Sequence, residues 1–372
     1  MKKKIKIVHI ISNMNDGGAQ KIILNYLNDF KEDNKLECSL IVLENNFNPI
    51  YKKALNNLNI KVYALNDSNY TKRKSIKKIL ENNKKLLDLI NAINPDIIHI
   101  HLFGTLFTCI YLFNKYKKTI FYTLHSSPYR FKGVKRQLAR TLLGKKNVIS
   151  ICVTHEQVKQ AKKQYKIKKY EVVHNGIDLS KFNSMNISKN EARKKFNLPI
   201  DKFIIGSVGR FDPVKKYDFL IEVFKKILIK NGKALMVFVG EGNEKQKIKD
   251  IVAQYNIGDS VIFLGNIDNV EEFYCALDVF AFPSESESSG LALLEAQACN
   301  VKCVISKGIP NESIITNKVI KINSNYIEND WVDSIIASNN YEKPLYKLED
   351  YDVHEKSKQM KMIYYKYLRE KY

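Results

Sequence analysis

Two carboxylates eight residues apart, Glu287 and Glu295, bracket a run of small residues in FPSESESSGLALLEAQA (282–298). An apolar strand ends at Pro283, a short polar loop follows, and a helix begins near Gly290. At a rise of 1.5 Å per helical residue the two carboxylates stand about 12 Å apart. Between them the backbone N–H groups of Ser289, Gly290, Leu291 and Ala292 fall at the helix start, where intrahelical partners are missing and the dipole favours an anion. A carboxylate, an anion cradle and a second carboxylate match the sugar hydroxyls, diphosphate and ribose hydroxyls of a nucleoside diphosphate sugar. The segment also fits an ordinary capped helix with glutamates in its first turns.

A second constellation is GSVGRFDPVKK (206–216), where a strand runs into a Gly-x-x-Gly turn followed by Arg210 and Lys215. A rigid guanidinium fork and a mobile ammonium at the mouth of one loop suit a diphosphate and would stabilise it as a leaving group. Two solvated surface charges fit as well, in so basic a chain. Pro213 and the spacing favour Lys215 over Lys216. The third is DGGAQK (16–21), in which Gly17 and Gly18 let a phosphate approach the backbone at a helix start, or make only a tight turn. It lacks the G-x-G-x-x-G fingerprint and distal acid of NAD binding, and no G-K-[ST] follows it. His125 ends a strand, where α/β proteins place functional side chains, although a lone histidine also serves structure. His99 and His101 share one strand face, in the core or in a cleft. His174 reads as a turn neighbour. No D-x-D of the kind that holds a divalent ion on a nucleotide is read here: Glu285-Ser286-Glu287 and Asp350-Tyr351-Asp352 have that spacing by coincidence, and no metal or other cofactor is expected.

These residues need a scaffold that brings loops together. In the first half, apolar β-rich runs (5–12, 38–44, 60–65, 96–102, 119–126, 148–154) alternate with amphipathic helical stretches such as AQKIILNYLNDF and SIKKILENNKKLLDLINAI. Continuous rather than alternating apolar runs mark strands covered on both faces of a parallel sheet. EVVHNGIDLSKF (171–182) supplies a strand and an Asn-Gly turn where the chain leaves the first domain. The pattern restarts with runs at 203–210, 234–240, 261–265, 278–284 and 301–306. The length of 372 residues also favours two domains. The expected fold is therefore α/β, with two Rossmann-like, doubly wound domains facing a central cleft. The boundaries are 1–180 and 181–352, with the charged helix of 353–372 packing back onto the first domain.

Charge separates the halves. Residues 1–180 hold 33 Lys+Arg and 13 Asp+Glu, a net of +20, whereas the remaining 28 and 26 leave +2. The first half thus faces something anionic: nucleic acid, a lipid leaflet or an acidic substrate. The six cysteines show no metal or disulfide spacing and read as buried free thiols. With no stretch long and apolar enough to span a bilayer, and no cleavage site after MKKKIKIVHIIS, the expected location is the cytoplasm.

Together the motifs resemble the retaining glycosyltransferase family 4, of the GT-B fold, over nearly the whole chain. The family's E-x7-E is Glu287-SSGLALL-Glu295, its G-R-x4-K is Gly209, Arg210 and Lys215, and its G-G-A-[EQ] is Gly17-Gly18-Ala19-Gln20. HNGID (174–178) and VFAFPS (279–284) stand in matching places. The resemblance implies catalytic roles for Glu287, His125, Arg210 and Lys215. Glu287 and His125 would meet the transferred sugar, and Arg210 and Lys215 the diphosphate, helped by Gly18 and by backbone at Gly290–Ala292. Glu295 would bind the ribose, and Asn266 and Ile267 the base. It also implies retention of anomeric configuration without a metal. The family has Gly directly after the first Glu; here Ser288 and Ser289 intervene, which leaves the donor sugar open.

The run EAQA and the following VKCVIS most resemble capsular and exopolysaccharide transferases. The implied reaction moves a hexose or N-acetylhexosamine from a UDP-sugar onto a lipid-linked glycan. The basic, part-apolar stretches 75–90 and 129–146 (with Tyr129, Phe131, Leu138, Leu142 and Leu143) would then meet an anionic membrane peripherally at its inner face. The competing expectation is a non-catalytic nucleotide- or nucleic-acid-binding protein on the same fold. No aromatic-basic recognition motif supports it, and no nucleic-acid partner is expected.

Overall fold

Apolar side chains fill whole strands because each strand is covered on both faces: Ile97–His101, Ile120–Thr123, Val148–Cys152, Ala234–Val239 and Val279–Phe282 are buried at every position. The computed structural model describes residues 4–15, 17–67, 76–183, 187–337 and 348–369. Asp16, Ser75 at the head of the basic stretch, and the end of the last helical pattern (370–372) lie outside them.

The chain divides into one unit of Met1–Gly176 with Val353–Tyr372 and another of Ile177–Asp352. In the first, β1 (Ile5–Ile11), β2 (Leu36–Val42), β3 (Lys61–Ala64), β4 (Ile97–His101), β5 (Ile120–Thr123), β6 (Val148–Cys152) and β7 (Lys169–Val172) form a parallel sheet in the order β3-β2-β1-β4-β5-β6-β7. In the second, β8 (Phe203–Val208), β9 (Ala234–Val239), β10 (Val261–Gly265), β11 (Val279–Phe282), β12 (Lys302–Ser306) and β13 (Val319–Ile322) run parallel in the order β10-β9-β8-β11-β12-β13. The strand order reverses between β1 and β4 and between β8 and β11. In open α/β sheets the loops at the carboxyl ends of such strands take ligands. β13 was not anticipated: its four residues, VIKI, are only partly buried up to Ile322, and Lys321 interrupts the apolar run.

The last helix, Val353–Arg369, buries Val353, Ser357, Met360, Ile363 and Tyr364 along one face. That face lies on the first sheet, where Tyr364 meets Phe30, His99 and Phe121 edge-on. Gln359 donates to the Val172 carbonyl at 3.0 Å, and Lys366 pairs with Glu171. One parallel bridge marks where the chain enters and leaves the second unit, Ile177 to Asp352, with Ile177 donating to the Tyr351 carbonyl.

The apolar residues of the two basic stretches do not form the membrane face expected of them. Leu142 and Leu143 on helix Gly133–Leu143, and Leu86 and Ile90 on helix Ile76–Ile93, are buried in the first core. The helical spacing that suggested a lipid-facing stripe is the stripe that covers the sheet. Phe131 stacks on Phe103 at 3.6 Å, and Leu138 packs against the same core. Tyr129 and Val134 remain exposed among Arg130, Lys132, Lys135, Arg136 and Arg140. No described helix is long and apolar enough to cross a membrane. All six cysteines are free; Cys109, Cys152 and Cys303 are buried, and Cys38, Cys275 and Cys299 half-buried.

Candidate active site

The loops that leave β8 and β11 are tied to each other. After β8, Gly209 takes a positive φ, and a Cβ there would stand 3.1 Å from Lys215 Cε, so glycine leaves that side chain its place. Phe211 is buried behind the loop and donates its N–H to the Glu241 carbonyl. Asp212 accepts from the Val214 N–H at 3.2 Å and starts the single helical turn Pro213–Lys215. Across the gap, the Glu285 N–H donates to the Val214 carbonyl at 2.8 Å.

This bracing brings Lys215 to Glu287. Lys215 Nζ donates to Glu287 Oε1 at 2.7 Å and sits 4.5 Å above the centre of the Phe282 ring. The two side chains are only 15% and 17% exposed. Lys216, next in sequence, turns away to Glu285 at 3.6 Å on the open surface. Both glutamates of Glu285-Ser286-Glu287 thus pair with lysines of the facing loop. Arg210 is exposed at the mouth of that loop.

Glu287 also donates its N–H to the Gly308 carbonyl, and the Ser289 carbonyl accepts from Ser313 Oγ at 2.8 Å. Gly290, in the left-handed region, then caps the helix Leu291–Ala298. Leu291 and Ala292, as its first residues, precede any intrahelical acceptor for their N–H groups. Glu295 is buried in the second turn and accepts from the Tyr274 hydroxyl at 3.2 Å. Burial, then the neighbouring Glu295, holds the Tyr274 hydroxyl well above its ordinary pKa, so it stays a donor. Gln297 fixes the far side of the helix with its side-chain carbonyl accepting from Ile315 and Thr316, and its amide donating to Ser313. Asn266 and Ile267 stand on a separate loop after β10, exposed and half-buried; the Gly265 carbonyl there accepts from Gly240 at the end of β9.

Sequence reasoning missed Tyr274, Gln297 and Gly308. Gly308 is the sharpest case, for a Cβ on it would fall 2.1 Å from the Glu285 carbonyl oxygen. Backbone on both sides leaves no cheap relief. Gly308→Ala is expected to push the acidic loop off Lys215 and cut turnover about tenfold or more without touching a ligand-facing side chain. A variant with full turnover would show that the loop's position is not critical.

In the first unit, Gly17 precedes the helix Gly18–Phe30, and buried Gln20 ties that turn down by donating to the Asn13 carbonyl. His125 follows β5 and is half-buried, with Nε2 3.0 Å from His101 Nδ1. Gln157 holds the backbone on either side of it, donating to the Leu124 and Ser126 carbonyls. Burial pushes the His125 imidazole down to about 3, so it is neutral near pH 7. His174 donates from Nδ1 to the Val153 carbonyl at 2.9 Å, a turn contact. Lys215, Glu287, the Ser289–Ala292 backbone and Glu295 are thus assembled in one unit, and Gly17, Gly18 and His125 belong to the other.

Two parallel doubly wound sheets with these loops define the GT-B class of glycosyltransferases. A family model described as Glycosyltransferase Family 4 matches residues 17–181, and one described as Glycosyl transferases group 1 matches 188–340. N-acetyl-alpha-D-glucosaminyl L-malate synthase of Bacillus anthracis is 29% identical over 235 residues, which is 61% of each chain. The O-antigen biosynthesis glycosyltransferase WclY of Escherichia coli is 27% identical over 82% of this chain and 81% of its own. The chain thus spans under two thirds of the first relative's length and most of the second's. The Anabaena HepE structure in complex with UDP-glucose superposes with a TM-score of 0.75 over 97% of this chain and 100% of that one, at 16% identity. The chain belongs to the glycosyltransferases of family 4.

Proposed function

We propose that this protein is a retaining transferase that moves a hexose or N-acetylhexosamine from a UDP-sugar to a lipid-linked glycan in cell-surface polysaccharide assembly. The observation that carries this reading is the Lys215–Glu287 pair at 2.7 Å beside the start of helix Leu291–Ala298. Without ligand the two charges neutralise each other. A diphosphate brings stronger negative charge to Lys215 and the helix N-terminus, and Glu287 is then released to accept from sugar hydroxyls. Arg210 adds a second cation, Glu295 holds the ribose hydroxyls, and Asn266 and Ile267 flank the base. Lys215 and Arg210 stabilise the leaving diphosphate, which is why no metal is required. Glu287 positions the sugar and supports positive charge at the anomeric carbon. By the family resemblance, His125 contacts the sugar and the Gly17–Gly18 turn the phosphates.

WclY is named for O-antigen biosynthesis and HepE was captured with UDP-glucose, and both names agree with this donor and product class. The exposed cations around Tyr129 and Val134 suit a peripheral contact with an anionic cytoplasmic leaflet, near a lipid-linked acceptor.

A thermal-shift screen of UDP-, GDP- and dTDP-sugars tests the donor. At about 100 times its Kd, the true donor stabilises the second unit by about 2.7 kcal/mol. Turnover of that donor should survive EDTA and keep the anomeric configuration. Cosedimentation with anionic but not neutral vesicles checks the membrane contact. Salt-sensitive binding to nucleic acid without response to any sugar nucleotide would instead establish the non-catalytic binding protein.

A further inference from the structure

Two half-buried thiols meet where the helix that carries Glu295 ends. Cys275 closes helix Val270–Cys275, and Cys299 caps the far end of helix Leu291–Ala298. Cys299 Sγ lies 3.3 Å from the Glu271 carbonyl oxygen, one turn before Cys275 in the same helix, and within hydrogen-bond reach of the Cys275 thiol itself. Both side chains pack against one apolar cluster that includes Phe273, Ala296 and Cys303. A second link joins the same two helices beside this one. Tyr274, the neighbour of Cys275, donates to Glu295, one turn before Cys299. Cys299 also donates its backbone N–H to the Glu295 carbonyl at 3.2 Å.

The two thiols are not equivalent. A hydrogen bond from Cys299 holds the Cys275 thiol below its ordinary pKa, against burial and the charges of Glu272 and Glu271. Lys195 pairs with Glu272 and offsets part of that charge. The same hydrogen bond, followed by burial, pushes the Cys299 thiol well up. Its single proton serves the Glu271 carbonyl while Cys275 is neutral, and a Cys275 thiolate is the stronger acceptor. Burial raises the other four thiols, Cys38 and Cys152 to about 12, and Cys109 and Cys303 well above the ordinary value. Cys275 is thus the thiol that becomes a nucleophile near neutral pH, and Cys299 is the one placed to follow it.

We propose that Cys275 and Cys299 form a reversible covalent modification site, oxidised to one disulfide by a low-molecular-weight disulfide, R–S–S–R. The Cys275 thiolate attacks one sulfur, forms a mixed disulfide and expels one R–S⁻. Capping removes the acceptor that favoured the protonated Cys299, so Cys299 ionises, attacks the Cys275 sulfur and expels the second R–S⁻. Two protein thiols are oxidised, one disulfide is reduced, and the two protein protons pass to the two expelled thiolates. Closure draws the end of helix Leu291–Ala298 towards helix Val270–Cys275. That pull works against the bonds of Gln297 to Ile315, Thr316 and Ser313, and it acts one turn from Glu295. Nucleotide binding should weaken in consequence. This consequence rests on the reading of Glu295 as the ribose ligand; the disulfide does not.

Peptide mapping of the full-length, ligand-free chain tests the pair. The reduced protein is treated near neutral pH with oxidised glutathione, denatured, alkylated with iodoacetamide and digested. The expected product is a Cys275–Cys299 cross-linked peptide, reversed by dithiothreitol, with the other four cysteines alkylated. Cys299→Ser should stop at a glutathione adduct on Cys275, and Cys275→Ser should leave Cys299 unmodified. No linkage, a linkage between other cysteines, or first modification at Cys38 overturns the proposal. The wild-type map decides even if a variant fails to fold. Titration with UDP reads the consequence: oxidation should weaken UDP binding about fivefold or more in the wild type and leave Cys275→Ser unchanged. Equal UDP affinity in the reduced and oxidised wild type would overturn the coupling to Glu295. A protein that forms the linkage but binds no UDP in either state would sink the functional reading and leave the thiol pair standing.

Discussion

Between pH 7.5 and 5.5 the first unit is expected to lose about 4 kcal/mol of stability, while the second keeps its own. The cause is the buried layer of His9, His99 and His101, each fully enclosed and held well below the ordinary imidazole value of 6.5, His9 at about 3. In the unfolded chain these rings take up protons below about pH 6.5; in the folded chain they stay neutral. The unfolded state therefore binds more protons, and stability falls as pH drops. Each ring contributes about 1.4 kcal/mol at pH 5.5 and a similar increment per further unit, down to its folded pKa. His125 is half-exposed and is left out of this figure.

The chain carries its own control. All seven histidines lie outside residues 177–352, so the second unit has no imidazole to titrate. Differential scanning calorimetry should show one transition moving sharply to lower temperature on acidification and the other moving little. His9→Phe should flatten the pH slope of the first unit by about a third. A stability that stays level between pH 7.5 and 5.5 would mean that the layer is hydrated or already charged.

This layer also shows where sequence reasoning stops. The alternation of His99 and His101 puts them on one face of β4, and this is legible from spacing alone. That His9 joins them depends on β1 pairing beside β4, with His9 opposite His99. No local pattern encodes that neighbour. The same limit explains Tyr274 and Gly308, which reach the site only through the packing of elements distant in sequence. The fold was far more legible, because continuous apolar runs leave a parallel sheet as the main solution, and its switch points put GSVGR after β8 and FPSES after β11. Periodicity misled at Leu142 and Leu143, since an apolar helical stripe looks the same whether a sheet or a lipid covers it.

Lys215→Ala is expected to lower kcat/KM by about 10²- to 10³-fold, the loss of about 2.7–4 kcal/mol that follows removal of one preorganised charge from a developing anion. Its neighbour supplies the comparison. Lys216 pairs with Glu285 at 3.6 Å, and the two are 35% and 62% exposed, so Lys216→Ala should change the rate by less than about twofold. The difference lies in the surroundings: Lys215 is walled by Phe282 and by the Gly209 turn, where little water can replace it.

Lys215→Arg should rescue poorly, because a planar fork needs more room than the 3.1 Å between the Gly209 Cβ position and Lys215 Cε suggests. Stability should change modestly, as Glu287 keeps some access to water when its partner is lost. If the two residues act together on the leaving group and the sugar, as proposed, Lys215→Ala with Glu287→Gln should cost much less than the sum of the single losses. Strict additivity in steady-state kinetics would mean that the 2.7 Å contact is not part of the transfer step. Equal effects of Lys215→Ala and Lys216→Ala would place the diphosphate elsewhere.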